Sequence, residues 1–211
     1  MRKVFLSIAL AAAAFTANAQ LKFIPKVGVS IANVAFSTGG EDNKSKIGFQ
    51  LGGALEIGVN DMFSIQPELL FIQKGVRSEV SFLGTTVKSS VTLNYLEIPV
   101  LAKVQFGSEN LKFHVNAGPS LGIAVSGTSK VEAGGQSESD PVEFGSDPGQ
   151  TKRTDFGLQF GGGITFSNFV IDLRYGLGLS NIANVPSGSN DSAKNRAIGI
   201  TVGYVIPLGG K

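Results

Sequence analysis

The chain has 211 residues, 28 of them glycine and none cysteine, with 18 basic and 16 acidic side chains. The lack of cysteine excludes disulfides, thiolate metal sites and cysteine nucleophiles. The small charge excess sits in the first three residues and gives no support for nucleic-acid binding.

Arg2 and Lys3 are followed by an apolar, alanine-rich run from Val4 to Phe15, then by Ala17-Asn18-Ala19. A basic start, a short apolar run and a small-x-small site mark a secretory signal peptide over residues 1–19, cleaved before Gln20. The apolar run is too short to span a bilayer as a helix, and no later stretch is long enough. Residues 20–211 are then one exported, near-neutral domain.

Eight segments of period-two alternation follow. The first is Phe23 to Val34, where Val27, Val29 and Ile31 alternate with Lys26, Gly28 and Ser30. Lys46 to Val59 sets Phe49, Leu51, Leu55 and Ile57 against Gln50, Gly52, Ala54 and Glu56. Met62 to Val76 sets Phe63, Ile65, Leu69 and Phe71 against Ser64, Gln66, Glu68 and Lys74. Val91 to Phe106 sets Leu96, Ile98, Val100 and Val104 against Tyr95, Glu97, Leu101 and Lys103. Leu111 to Val125 sets Phe113, Val115, Leu121 and Ile123 against Lys112, His114, Asn116 and Ser120. Arg153 to Phe166 sets Phe156, Leu158, Phe160 and Ile164 against Asp155, Gln159 and glycines. Phe169 to Leu179 alternates large apolar residues with Asp172, Arg174, Gly176 and Gly178. Arg196 to Leu208 sets Ile198, Ile200, Val202 and Tyr204 against Gly199, Thr201 and Gly203.

Most segments exceed the nine to eleven or so residues that a tilted membrane strand needs, and strands of soluble proteins are usually shorter. The connections alternate in length. Asn60-Asp61, Gly107 to Asn110 and Ser167-Asn168 are tight turns, while Phe36 to Ser45, Arg77 to Ser90, Ser126 to Lys152 and Ile182 to Asn195 are long and polar. Lipid offers no hydrogen bonds, so strands crossing it must close on one another. The pattern predicts an all-β protein, an eight-stranded antiparallel up-and-down barrel in an outer membrane. Its apolar face meets lipid, its long loops lie outside, and both termini lie in the periplasm.

The stretches Gln66-Pro67-Glu68-Leu69-Leu70-Phe71-Ile72-Gln73-Lys74-Gly75 and Leu93-Asn94-Tyr95-Leu96-Glu97-Ile98-Pro99-Val100-Leu101 resemble phrases of the PorT-like outer-membrane β-barrel family. So do Pro25-Lys26-Val27-Gly28-Val29-Ser30 and, loosely, Gly48 to Gly58. The resemblance implies an eight-stranded barrel in the outer membrane of a Gram-negative bacterium, with no shared catalytic motif. The family's named member takes part in protein secretion.

Glu56, Glu68, Glu97, Lys103, Lys112, His114, Asp172 and Arg174 all fall on the expected inner face. Eight strands enclose little more than their own side chains, so these residues are expected to form a polar plug rather than an aqueous path. Glu68 and Glu97, on neighbouring strands, call for a cationic partner such as Arg174 or for a proton. His114 is the only histidine, but no Gly-x-Ser-x-Gly elbow accompanies it, and Ser120 lies too far along the same strand to be its nucleophile. Gly161-Gly162-Gly163 lacks the Lys-Ser/Thr of a phosphate loop and reads as a packing feature. Glu132, Glu138, Asp140, Glu143 and Asp147 read as an acidic, solvated loop without calcium-loop spacing. Asp191-Ser192-Ala193 matches a three-residue glycosylation pattern that carries little information.

No cofactor, metal or enzymatic activity is expected. The expected partners are outer-membrane lipid and lipopolysaccharide, the barrel-assembly machinery during insertion, and a protein of a secretion complex. The expected function is structural or interactive. A narrow solute pore and a soluble periplasmic barrel of lipocalin type are the other classes. The last requires an apolar interior.

Overall fold

A computed structural model describes residues 20–37, 43–82, 85–108, 110–185 and 190–208. The expected signal peptide, residues 1–19, lies outside the described residues, as do parts of the first, second and last long connections. No helix occurs among the described residues. The elements are β1 (Leu21–Phe36), β2 (Asn43–Gly58), β3 (Phe63–Phe82), β4 (Thr85–Gly107), β5 (Leu111–Ala133), β6 (Gln136–Pro141), β7 (Thr154–Phe166), β8 (Phe169–Gly178), β9 (Ala193–Tyr204) and β10 (Ile206–Pro207).

Eight strands form a closed antiparallel ring in the order β1-β2-β3-β4-β5-β7-β8-β9, and β9 pairs back onto β1. β10 continues the line of β9 along β1, and β6 pairs only with β5. One row of partners runs Leu21, Ile57, Ile65, Ala102, Ala117, Phe160, Tyr175, Ile198, Ile31. It returns to β1 ten residues beyond its start, which is the stagger of the barrel. With a rise of about 3.3 Å per residue and a strand spacing of about 4.8 Å, this stagger tilts the strands by about 40° and sets a backbone radius of about 8 Å. Side chains pointing inward from that radius meet across the axis.

The outward face is the apolar one. Val27, Val29, Phe49, Leu51, Val115, Leu158, Leu173 and Ile200 are all exposed on it. The belt runs from about Leu21 to Ile31 on β1, which at this tilt is about 25 Å tall and matches the hydrocarbon band of an outer-membrane barrel. Among the described residues no charge points outward within it. Phe63, Phe106, Phe113, Phe166, Phe169 and Tyr204 ring the belt at the turn end, with Phe106 stacked on Phe113 and Phe169 edge-on to Tyr204. Such aromatic girdles sit at the level of lipid headgroups.

Two expected long loops are largely strand. Arg77 to Ser90 is the end of a hairpin: β3 reaches Phe82, β4 begins at Thr85, and the pairing is unbroken from Gly75↔Thr92 to Phe82↔Thr85. Ser126 to Lys152 begins as β5, which continues to Ala133 and turns back as β6. The alternation does not stop at the edge of the lipid band; it changes its polar partners, with Val80, Val87 and Val131 alternating with Arg77, Glu79, Lys88 and Glu132. β-branched residues keep the chain extended where no lipid requires it. The result is a four-stranded sheet, β3-β4-β5-β6, projecting past the belt at the hairpin end.

Candidate functional site

The inner face carries a stack of ion pairs. Nearest the turn end, Glu56 accepts from Lys103 Nζ at 2.6 Å and from Lys22 Nζ at 3.0 Å. In the centre, Arg174 holds Glu68 through two nitrogens, Nη1 at 2.6 Å and Nη2 at 2.9 Å. Glu68 also accepts from Lys26 at 3.0 Å and from the Gln66 amide at 2.5 Å. Asp172 lies beside it, accepting from Lys26 at 2.6 Å, Arg174 at 3.4 Å and His114 Nε2 at 2.6 Å. Towards the hairpin end, Lys74 bridges Glu97 at 2.7 Å and Asp155 at 3.5 Å and lies over the Tyr95 ring. Gln159 donates to Glu97, while Asn195 donates to Asp155 and to the Tyr95 hydroxyl.

The local pattern explains the placement. Inward positions recur every second residue, so Glu68 and Lys74 on β3, Glu97 and Lys103 on β4, and Asp172 and Arg174 on β8 all share the interior. Gly161 and Gly163 on β7 provide the space: a Cβ on Gly163 would meet the His114 ring at 2.9 Å, and one on Gly161 would meet Arg174 Cγ at 2.8 Å. The glycine run therefore accommodates the histidine and arginine of the neighbouring strands.

Five cations (Lys22, Lys26, Lys74, Lys103, Arg174) face five anions (Glu56, Glu68, Glu97, Asp155, Asp172) in the network. Burying ions is costly, and the cost is offset only when each ion is paired and hydrogen-bonded. This set is balanced in sign and multiply bonded. Between these groups lies a cavity of about 30 Å³ lined by Lys26, Lys74, Glu97, Gln159 and Arg174, room for one or two waters. A layer of Ile24, Ala54 and Val170 lies between the Glu56 pairs and the central cluster, and Val34, Ile72, Leu93 and Ile182 form a second apolar layer towards the hairpin end.

Seven of the eight residues singled out from the sequence are buried in this interior: Glu56, Glu68, Glu97, Lys103, His114, Asp172 and Arg174. Lys112 is the exception. It is half-buried in an open vestibule of about 270 Å³ with Lys22, Asp61 and Gln105, and among the described residues it makes no ion pair. Arg174 pairs with Glu68 and Asp172; the partner of Glu97 is Lys74.

Sequence reasoning left Lys22, Lys26, Lys74, Asp155, Tyr95 and Asn195 out of the network. Lys26, Lys74, Tyr95 and Asp155 stood on the inner parity of their segments, so continuing the alternation finds them. Asn195 fell in a stretch assigned to a loop, whereas β9 begins at Ala193.

His114 and Asp172 form a histidine–carboxylate pair. A carboxylate accepts only, so the hydrogen lies on Nε2. Nδ1 has no partner, and among the described residues no serine hydroxyl bonds the ring. No cluster of three or more metal-ligating side chains occurs among the described residues. The acidic stretch is partly ordered: Glu132 pairs with Lys130, and Glu138 and Asp140 lie on β6.

A family model described as an outer membrane protein beta-barrel domain matches residues 16–184. No curated protein matches the chain. Among solved structures the chain is similar to Ail, the attachment invasion locus protein of Yersinia pestis, at 19% identity and a TM-score of 0.46, covering 89% of this chain and 99% of that one. It is similar to Neisserial surface protein A at 16% identity and 0.43, covering 86% and 96%. It is also similar to OprG from Pseudomonas aeruginosa at 13% identity and 0.44, covering 90% and 97%.

Proposed function

Because this chain belongs to the family of outer membrane protein β-barrel domains, we propose that it acts in that membrane as a closed, non-conducting scaffold. Its role is structural or interactive: it anchors in lipid through the belt and presents the projecting β3-β4-β5-β6 sheet to partners. The observation that carries this reading is the sign-balanced ion-pair network, interleaved with apolar layers, which fills an eight-stranded lumen. Among the described residues no serine hydroxyl bonds the His114 ring, and the reading assigns the scaffold no catalytic role.

The hairpin end faces outward and both chain ends face the periplasm, after export and cleavage at Ala19. The assembly machinery inserts the barrel, and the phrases shared with PorT-like barrels favour support of a protein-secretion complex among the interactive roles. The open edge of β6 is not an inviting template for another strand. It is six residues long, carries Glu138 and Asp140 and ends in Pro141, all devices that discourage edge pairing. Partners therefore meet the faces of the sheet.

Conductance in planar bilayers tests the scaffold. A closed lumen gives no unitary steps at 100 mV in the purified protein. Steady steps abolished by Glu97→Gln or Arg174→Gln would replace the scaffold with a narrow pore.

A further inference from the structure

The projecting sheet has two unlike faces. Residues directly opposite each other on neighbouring strands share a face, as do residues two apart on one strand. Val80 lies opposite Val87, and Ser89 opposite Val131, which in turn lies opposite Glu138 on β6; Asp140, two residues on, shares that face. This face continues the inner wall of the barrel and looks towards its mouth. Arg77, Lys88 and Lys130, the cations of the four strands beyond the belt, all stand on the other face, with Glu79 and Glu132. The mouth-side face has none.

The far face settles its charge within the chain: Glu79 pairs with Lys44, Glu132 with Lys130, and Lys88 lies opposite both glutamates. The mouth-side face does not. At its base Val76 and Val91 pack on the buried cluster of Ile72, Leu93 and Tyr95. Above them Val80, Val87 and Val131 are 55%, 38% and 44% exposed. Glu138 and Asp140 stand exposed beside these valines and make no ion pair among the described residues. Arg153, at the same end of the barrel, is engaged by the Phe144 ring and the Ala124 carbonyl. Residues 38–42, 83–84 and 186–189, outside the described ones, contain no lysine or arginine, so they bring no cation to the two carboxylates.

We propose that the mouth-side face docks a cationic, apolar polypeptide segment of another protein, whose lysine or arginine side chains meet Glu138 and Asp140 while its aliphatic side chains cover Val80, Val87 and Val131. The proposal rests on the scaffold reading and gives the partner a chemistry. Charge complementarity selects the occupant: an anionic surface would meet like charge here, and a purely apolar one would bury two carboxylates without a counter-charge. Spacing agrees. Glu138 and Asp140 are about 6.6 Å apart along β6, the repeat at which an extended chain presents successive side chains on one face. Four strands about 4.8 Å apart, each with about six residues of 3.3 Å, give a face on the order of 300 Å². That is well below the roughly 800 Å² per partner of a standard interface, so the contact is transient and weakens with salt.

Methyl NMR of the whole barrel in zwitterionic detergent tests this, with a short peptide of alternating lysine and valine as the probe. The peptide shifts the methyl signals of Val80, Val87 and Val131 and leaves those of Val27 and Val115, on the belt, unmoved. Its counterpart with glutamate in place of lysine binds at least tenfold more weakly. Glu138→Gln/Asp140→Asn weakens binding of the lysine peptide about tenfold, the size of two exposed ion pairs. Val80→Thr/Val131→Thr keeps branched side chains in the ladder and weakens it about as much. Equal binding of the two peptides, an unchanged affinity in Glu138→Gln/Asp140→Asn, or shifts confined to Thr86 and Thr128 on the far face overturns the proposal. Shifts of the same valines on concentrating the protein without peptide would assign the face to a second copy and overturn it too. The two peptides on the wild-type protein decide the matter even if a variant does not assemble. Unitary conductance steps would refute the scaffold; unmoved valines in a non-conducting barrel refute the docking face alone.

Discussion

Replacing Arg174 by methionine removes the guanidinium that holds Glu68 through two bonds of 2.6 and 2.9 Å and reaches Asp172 at 3.4 Å. Glu68 keeps Lys26 and Gln66, and Asp172 keeps Lys26 and His114, so neither carboxylate is stripped bare. The buried set nevertheless carries one anion too many. Breaking a buried pair by deleting one partner costs about 3–5 kcal/mol, and the remaining partners put this case at the lower end, about 3 kcal/mol. Adding Glu68→Gln restores the balance of signs. The double variant is then expected to be more stable than the sum of the two single losses by about 2 kcal/mol. The chain has no tryptophan, so urea unfolding in lipid vesicles is followed by heat-dependent gel mobility and by far-UV circular dichroism. A single-variant cost below about 1 kcal/mol, with additivity within about 0.5 kcal/mol, would refute the reasoning, because it would mean that water screens these charges and the lumen is wet.

Leu173→Arg sets a charge on the outward face near mid-belt and is expected to destabilise the reconstituted barrel by about 2–4 kcal/mol; Tyr204→Arg, at the girdle, costs about 0–1 kcal/mol. A spin label at Leu173 should report a lipid rather than an aqueous environment. Gly163→Ala drives a methyl group against the Ile171 backbone carbonyl and the His114 ring, and overpacking of this kind costs about 1–3 kcal/mol, seen as a lower urea midpoint. On the projecting sheet, the hydrogen bond and charge of Lys44 hold the Glu79 carboxyl below its usual range. The contribution of that pair is therefore complete above the ordinary glutamate pKa of about 4.3 and is lost as pH falls through the lower, folded value. Carbon-detected NMR titration of Glu79 in wild type and in Lys44→Gln measures this, and identical midpoints would contradict the ion pair.

The ring was legible because membrane strands must satisfy two solvents at once. Phe49, Leu51 and Leu55 have to meet lipid, Gln50 and Glu56 have to avoid it, and two-residue periodicity records both demands in one line of text. What a single strand cannot record is which neighbour each inward residue meets. The partner of Glu97 depends on the stagger of β3 against β4 and β7, and nothing in Glu97's own segment distinguishes Lys74 from Arg174. The apolar layers were hidden for a related reason. Ile24, Ile72 and Leu93 occupy inward positions where the pattern elsewhere is polar, and only the ring shows what each of them packs against. Beyond the belt the lipid constraint vanishes, so Val80 and Val87 alternate with charges as any soluble hairpin does, and length alone suggested a loop.

Leu208 donates its backbone hydrogen to the carbonyl of Leu21 at 2.8 Å, so the outermost strands of the described barrel meet at one seam. A ring has no privileged first strand. A few residues bridging that seam, with a new opening at Asn60 or Asn168, leave every ladder intact while changing which hairpin leaves the ribosome first. A set of such permutants separates what the finished cylinder requires from what its order of manufacture requires.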